Sequence, residues 1–353
     1  MAHASCMSTG KIGFEASLAT NVLKTGKCVS CGACIAICPY ACLQLTQGKP
    51  RLVKECQLCG LCAQACPRYG FSQTQLENFV FGRNRKLDEP FGIYRQLATA
   101  QATDARILQR CQDGGVATAL LTYALKAGHI CGAVAVASSR EKPFHPKPVL
   151  ASTFEEVLEC AGSKYTCSPN LLLLSDVREQ KNGRIALVGM PCQIQAIRKM
   201  QASGLRKQID CIEVLVGLMC SGCFTYEGLM DEYLHGEKNV DLSEIQKMNI
   251  KGKLLLTTSR GLIEFPLAEI KRYQQKGCSA CGDFSGELAD ISIGGLGLNG
   301  WSFAIIRTQK GEALFSGAEQ AGFLRAKTVS AGDKALDLLG KLSEKKRKNV
   351  AAA

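Results

Sequence analysis

The chain has 353 residues, 46% of them hydrophobic, and a formal net charge of +12. Unbroken apolar runs such as "AVAVA" and "LLLL" fall far short of the roughly 20 residues of a membrane-spanning helix, which excludes a direct membrane span. Residues 1–27 lack the apolar stretch of a secretory signal, so a cytoplasmic location is expected, with any attachment at the inner face of a membrane made through partner subunits. The positive charge comes with no recognition motif or basic–aromatic platform, and no nucleic-acid partner is expected. Twenty cysteines in a long chain without an export signal point to metal rather than to disulfides.

Eight of those cysteines form two runs, "CVSCGACIAICP" and "CQLCGLCAQACP". Both fit C-x2-C-x2-C-x3-C-P, the run of two-cluster bacterial ferredoxins. Three close thiolates can wrap one face of a cubane cluster, and the fourth, before proline, is carried toward the other cluster. The spacing assigns Cys28, Cys31, Cys34 and Cys66 to one 4Fe-4S cluster, and Cys56, Cys59, Cys62 and Cys38 to a second. Gly32 and Gly60 permit tight turns around the inorganic core. Between the runs, "LQLTQGKPRLVKE" reads as two short strands turning at Gly48-Lys49-Pro50. Zinc knuckles are the alternative, but they do not usually carry four cysteines and this proline in each half. Residues 1–72 are therefore expected to be a ferredoxin-like α+β domain that moves single electrons.

A polar, charged stretch over residues 73–94 reads as a surface connection. Residues 95–330 have α/β texture with a mixed sheet. "VATALLTYALKAG" has helical spacing and ends at Gly128, "AVAVA" is a buried strand, and "EEVLE" opens a helix. "SPNLLLLSDVREQKNG" reads as a helix with Pro169 near its start and Gly183 past its end, "RIALVGM" as a strand and "QIQAIRKMQ" as a helix. "IDCIEVLVGLMC" is another strand, and "KLLLTTSRGLIEFPL" a hairpin turning at Ser259-Arg260-Gly261. "ADISIGG" and "SFAIIRT" add strands around a glycine-rich loop. Residues 331–353 form a basic helix or tail, whose "EKKRKN" is a solvated run or a patch for a partner or an acidic membrane surface. Each half holds its own ligands and is expected to bury its own core.

Four stretches invite a chemical reading. "DGGVATALL" puts two glycines before a helix, which suits a phosphate group or plain capping by Asp113. "AGSKYTCSPN" gathers hydroxyls, a cation and an aromatic ring, as a flavin nucleotide or an ordinary polar loop would require. "GLGLNG" fits G-x-G-x-x-G but runs into a strand, so it is not a dinucleotide fingerprint. Cys192, Cys220, Cys278 and Cys281 include strand-end positions, and such ends converge on one edge of an α/β sheet. A third cluster, a zinc site and scattered core thiols all fit that spacing.

The motifs "DGGVATALL", "AGSKYTCSP", "ALVGMPCQIQAIRK", "GLMCSGCFTYEGL" and "GCSACGDFSGELADISIGGLGLNGWS" resemble, in order, those of the coenzyme F-420 hydrogenase/dehydrogenase beta-subunit family, over about residues 95–315. The ferredoxin-like segment in front narrows the resemblance to the electron-input (F) subunit of F-420 dehydrogenases, archaeal proteins of methanogenesis. The resemblance implies one FAD, a third 4Fe-4S cluster and coenzyme F-420 as substrate. It places Cys192 in the family's G-x-P-C-Q motif as a cluster ligand with Cys220, Cys278 and Cys281. The flavin is expected on Gly114, Gly115, Val116, Thr118, Ser163, Lys164, Tyr165 and Ser168.

Two departures are evident: Met190 stands where the family has threonine, and Cys223 follows Cys220 where many relatives lack a second cysteine. Cys6, Cys42, Cys111, Cys131, Cys160, Cys167 and Cys211 read as core or surface thiols. The implied reaction is oxidation of reduced F-420 by hydride transfer to FAD, with electrons leaving through the clusters to other subunits of a redox complex. No acid–base residue is needed for direct hydride transfer, and none is assigned. A basic cleft would attract F-420, which carries a phosphodiester and glutamate carboxylates. A ferredoxin-dependent reductase of a chlorophyll-type pigment, and a non-catalytic electron-transfer subunit, are the alternative readings.

Overall fold

The computed structural model describes residues 12–139, 141–179, 183–205 and 209–351; Cys6 lies outside them. Its largest element is an eight-stranded mixed sheet built from β3 (Gln96–Ala102), β4 (Gly132–Ser138), β5 (Pro146–Ala151), β6 (Ile185–Gly189), β7 (Ile212–Leu218), β11 (Ile291–Gly294), β12 (Ser302–Ile306) and β13 (Leu324–Thr328). The order is β13-β3-β12-β11-β7-β6-β4-β5. Neighbours among β11, β7, β6 and β4 pair in parallel, so their C-terminal ends share one edge. β3, β5 and β13 carry no motif and are not anticipated from the sequence.

Alternation along the central strands sends side chains to two cores, as expected of a sheet covered on both faces. Ala186, Val214 and Val216 join the core beneath helices Val116–Lys126 and Gln309–Gln320. Ile185, Leu187, Ile212 and Leu215 point the other way, toward helix Pro191–Ala202. That second core also contains Val29, Cys31, Ala33, Ala36, Ile37 and Ala65 from the cysteine-rich segment. The two halves thus share this core, which the expectation of separate cores did not include, while Phe14, Leu18, Val22, Leu43 and neighbouring cysteines form a further cluster within the cysteine-rich segment. Leu171 N–H donates to Cys31 O at 3.1 Å across the junction, and a Cβ on Gly277 would lie 2.4 Å from Cys28 O.

Within the cysteine-rich segment, β1 (Leu43–Thr46) and β2 (Lys49–Leu52) form the expected hairpin. Its turn is Gln47-Gly48, both at positive φ, so Lys49 and Pro50 belong to β2. Helix Glu15–Leu23, with wide-turn bonds such as Lys24 N to Ala19 O, is an addition to the expected elements. Its Leu18 and Val22 are buried on the cysteine hairpins, and the i, i+4, i+8 spacing of Phe14, Leu18 and Val22 was a legible signal.

The expected helix from Pro169 is a 3-10 turn, Asn170–Leu173, followed by the short helix Leu174–Glu179; residues 180–182 lie outside the described ones. A second sheet, β8 (Ile245–Ile250), β9 (Lys253–Thr258) and β10 (Gly261–Pro266), packs on helix Glu227–Glu237 with its own core. The basic tail is helix Lys334–Ala351. It is not simply solvated, since Ser343 and Lys346 are buried and Arg347 pairs with Glu287. Among the described residues, no helix is long and apolar enough to cross a membrane.

The shared core yields a stability prediction. Ile197→Ala, at a fully buried position, should cost about 2–5 kcal/mol in chemical unfolding. Deleting residues 1–72 should expose the same face, and the truncated chain should aggregate in size-exclusion chromatography.

Candidate cofactor sites

The cysteine hairpins surround two cavities. Cys28, Cys31, Cys34 and Cys66 line one, with Leu18, Val22 and Ile35 in its apolar wall. Cys38, Cys56, Cys59 and Cys62 line the other, together with Cys42. Each set therefore takes its fourth cysteine from the other run. Gly32 and Gly60 sit at positive φ and start the short helices that carry Cys34 and Cys62. Burial raises the Cys31 and Cys62 thiols to about 12, assisted by repulsion from neighbouring thiolates. Such groups ionise when a metal centre supplies positive charge. Four thiolates on one Zn²⁺, each at about 2.3 Å, would close around a single point. Among the described residues no three His, Cys, Asp or Glu side chains do so. Cavity-lining thiols fit a cluster better than a single ion.

A third thiol group occupies the sheet edge. Helix Pro191–Ala202 starts directly after β6, with Pro191 as its first residue and Cys192 as its second. Gln193 ties this start down: its side chain accepts from Met190 N–H at 2.9 Å and donates to Ser168 O at 2.8 Å. Cys220 follows β7, and Cys278 and Cys281 come from the loop before β11. Burial, then repulsion from Cys281, raises the Cys192 thiol. Cys278 is held at about 11 by burial, then by Cys220.

Cys223 and Cys167, outside the expected set, belong to the same neighbourhood. Cys223 N–H donates to Cys278 Sγ at 3.4 Å, and Cys167 N–H bonds to Phe224 O at 2.9 Å. The Cys223 thiol is raised first by its hydrogen bond with Cys167. Lys346 donates to Cys220 O and Asp283 O, placing an ammonium behind this group. The Asp283 carboxyl also braces the loop, accepting from Gly286 N–H at 2.7 Å, and burial lifts its pKa to about 6.

The residues expected at the flavin lie on two loops near this edge. Gly114 and Gly115 are small for packing reasons. A Cβ on Gly114 would stand 2.5 Å from Ala100 O, and one on Gly115 2.6 Å from Ile107 Cγ2. Packing by itself therefore requires glycine at both positions. Val116 and Thr118 are buried beneath the helix they begin. Lys164 directs its ammonium to the carbonyls of Cys160, Ala161 and Gly162 at 2.9–3.2 Å, so it braces its own loop. Tyr165 reaches Asn249 of β8 at 3.3 Å, and Ser163 lies close enough to act on its hydroxyl.

Polar atoms elsewhere on these loops are buried without partners among the described residues: both amide atoms of Gln112, Thr166 Oγ1, Ser168 Oγ and Asn170 Oδ1. Orphans of this kind are costly unless a polar ligand meets them. A flavin nucleotide, rich in donors and acceptors, fits that requirement. The three-stranded sheet adds Lys247, which donates to Cys111 O at 3.0 Å, and Lys251, which joins it in lowering the Asp113 carboxyl against the dominant upward push of burial.

Residues 97–175 match the N-terminal and residues 182–331 the C-terminal part of the coenzyme F420 hydrogenase/dehydrogenase beta subunit. The coenzyme F420 hydrogenase subunit beta of Methanothermobacter thermautotrophicus is 39% identical over 74% of this chain and 95% of its own length. The chain belongs to this beta-subunit family. The F subunit of the F(420)H(2) dehydrogenase from Methanosarcina mazei is 29% identical over 94% of this chain and 92% of its own. Among solved structures, a chain of the F420-reducing nickel–iron hydrogenase complex from Methanosarcina barkeri superposes with a TM-score of 0.72 at 35% identity. The match covers 76% of this chain and 94% of that one.

Within this beta-subunit family member, sequence reasoning missed Gln112, Thr166, Asn170, Lys247 and Lys251. The first three stand inside or beside the quoted motifs, and side-chain orphaning is invisible in a motif. The two lysines come from a separate sheet and carry no local signal.

The lysine on the 161–170 loop gives a pH prediction. Burial lowers Lys164 from 10.5 to about 8. The unfolded chain therefore binds more protons between those values, and stability rises with pH there. Urea midpoints of wild type and Lys164→Met should diverge in favour of wild type as pH rises from 8 toward 10.5. A constant difference would contradict the assignment.

Proposed function

We propose that this chain is an electron-input subunit that oxidises reduced F-420 and hands single electrons to partner subunits of a redox complex. The observation that carries the reading is the succession of thiol groups in one folded unit. The strand-edge group adjoins the Cys28/Cys31/Cys34/Cys66 set through their shared core, and the second hairpin set opens to solvent at Cys59. A bound flavin would convert the two electrons of a hydride into single electrons for iron–sulfur clusters.

The chain's own residues supply the environment. Cys28, Cys31, Cys34 and Cys66 would hold one 4Fe-4S cluster, and Cys38, Cys56, Cys59 and Cys62 a second. Cys192, Cys220, Cys278 and Cys281 would hold a third, with Cys223 poised beside Cys220. Leu18, Val22 and Ile35 keep water from the first set. Gln112, Thr166, Ser168 and Asn170 would satisfy FAD, together with the backbone amides that open helix Val116–Lys126. Lys247 and Lys251 give the edge positive charge for an acidic coenzyme.

Three measurements test this reading. Anaerobically reconstituted protein should bind about twelve iron atoms, the sum of three four-iron clusters, and Cys192→Ser should lose about four of them. Saturation near eight would remove the third cluster. Thr166→Val should weaken FAD binding roughly five-fold, the value of one hydrogen bond, while raising the melting temperature of flavin-free protein by removing an orphaned hydroxyl. Unchanged binding would displace the flavin from this loop. Reduced F-420 with an artificial acceptor should be oxidised by the holoprotein, read from the deazaflavin absorbance, and an inert mixture would refute the reaction.

A further inference from the structure

Arg68 leaves the second cysteine run just after Cys66-Pro67 and turns inward. Its backbone N–H donates to Cys66 Sγ at 3.4 Å, and its side chain lines the cavity of the Cys28/Cys31/Cys34/Cys66 set. The thiols of Cys281 and Cys192, from the strand-edge group, lie within electrostatic reach of it, and Cys192 packs against the core that holds Cys31. Among the described residues, Nε and Nη2 are buried with no partner at hydrogen-bond distance, the Cys281 thiol being their neighbour. A guanidinium stays charged in any protein environment, and burying its donors unmatched is unfavourable. The groups that flank it and can become anionic are thiols, drawn from two different groups.

Holding the loop does not explain this placement. Lys199 already does that, donating to the carbonyls of Ala63, Cys66 and Tyr69. Lys346 serves the strand-edge group, donating to Cys220 O and Asp283 O. Arg68 faces both groups.

We propose that Arg68 is the shared positioning cation between the first hairpin centre and the strand-edge centre, raising the reduction potential of both. The proposal rests on the cluster reading above. On reduction each centre gains one electron and one unit of negative charge, while Arg68 keeps its proton and makes or breaks no covalent bond. A fixed positive charge in a dry gap favours the more negative state on either side. It would thus keep both centres reducible by the same donor and sustain transfer across the junction.

The test is an anaerobic dithionite titration of full-length, iron-loaded protein, followed by electron paramagnetic resonance, with iron counted in every sample. Arg68→Gln should lower both flanking midpoints at least ten-fold in reduction equilibrium, about 59 mV for a one-electron couple. The centre of Cys38, Cys56, Cys59 and Cys62 should move least, and Arg68→Lys should stay within about two-fold of wild type. Unmoved midpoints, an equal shift of all three, or a lysine variant as displaced as the glutamine one would overturn the proposal. If Arg68→Gln fails to load iron, the lysine variant decides. Loss of iron from both variants alike would show that shape, not charge, is needed. Wild-type protein saturating near eight irons would remove the cluster reading beneath it; twelve irons with unmoved midpoints would remove the role of Arg68 alone.

Discussion

One face of the large sheet, made of Ile185, Leu187, Ile212 and Leu215, cannot be left in water, and the way it is covered organises the molecule. Helix Pro191–Ala202 covers part of it, and the small apolar residues between the cysteines of the hairpin segment join the same core. Ala33, Ala36 and Ala65 are small enough to bring backbone close to that core, so the hairpins lie on the sheet instead of hanging from a linker. The thiols of residues 28–66 consequently come to rest beside thiols that follow the strands. Hydrophobic burial, which has no chemical specificity of its own, thereby aligns the redox-capable groups.

Charge is then arranged around those thiols. Each buried thiol near another resists ionisation, and the strand-edge group compounds this through mutual repulsion. Cations stand nearby: Lys199 at the carbonyls of the Cys66 turn, and Lys346 at Cys220 O. Behind the loop of Cys278 and Cys281, Glu287 pairs with Arg85 and Arg347. Fully buried Arg307 bonds to Ser292, Ser285 and the carbonyls of Phe91 and Ile93. A buried network with this many matched partners adds less to stability than to uniqueness of the loop geometry, because each ion has given up its hydration. The C-terminal helix belongs to that network, which explains how a stretch that reads as a solvated tail comes to be half-buried.

On the opposite side of the edge, geometry rather than charge is limiting. The turn into helix Val116–Lys126 is pressed so closely against β3 and β12 at Gly114, and against Ile107 at Gly115, that glycine is required at both positions. The 161–170 loop is pinned by Lys164 within itself, by Gln193 to the start of the next helix, and by Tyr165 to the three-stranded sheet. A loop fixed at three points cannot relax to satisfy Thr166, Ser168 and Asn170 internally. Their unmet polar atoms follow from that rigidity, and they make this edge suited to a polar, flat ligand.

The order of residues is enough to specify the cysteine runs, the parallel strands of the sheet and the helices after β6 and before β4, because period and spacing are local properties that survive in a string of letters. It also makes the family legible, since several ordered motifs must coincide. The same string could not reveal β3, β5 and β13, whose short runs gain their identity from neighbours across the sheet. It could not place Cys167 and Cys223 beside Cys220 and Cys278, nor turn Arg68 and Lys346 from surface-type residues into buried cations. Those placements depend on contacts between segments more than one hundred residues apart in several cases. They arise only when a shared core brings the segments together, and no local pattern encodes that.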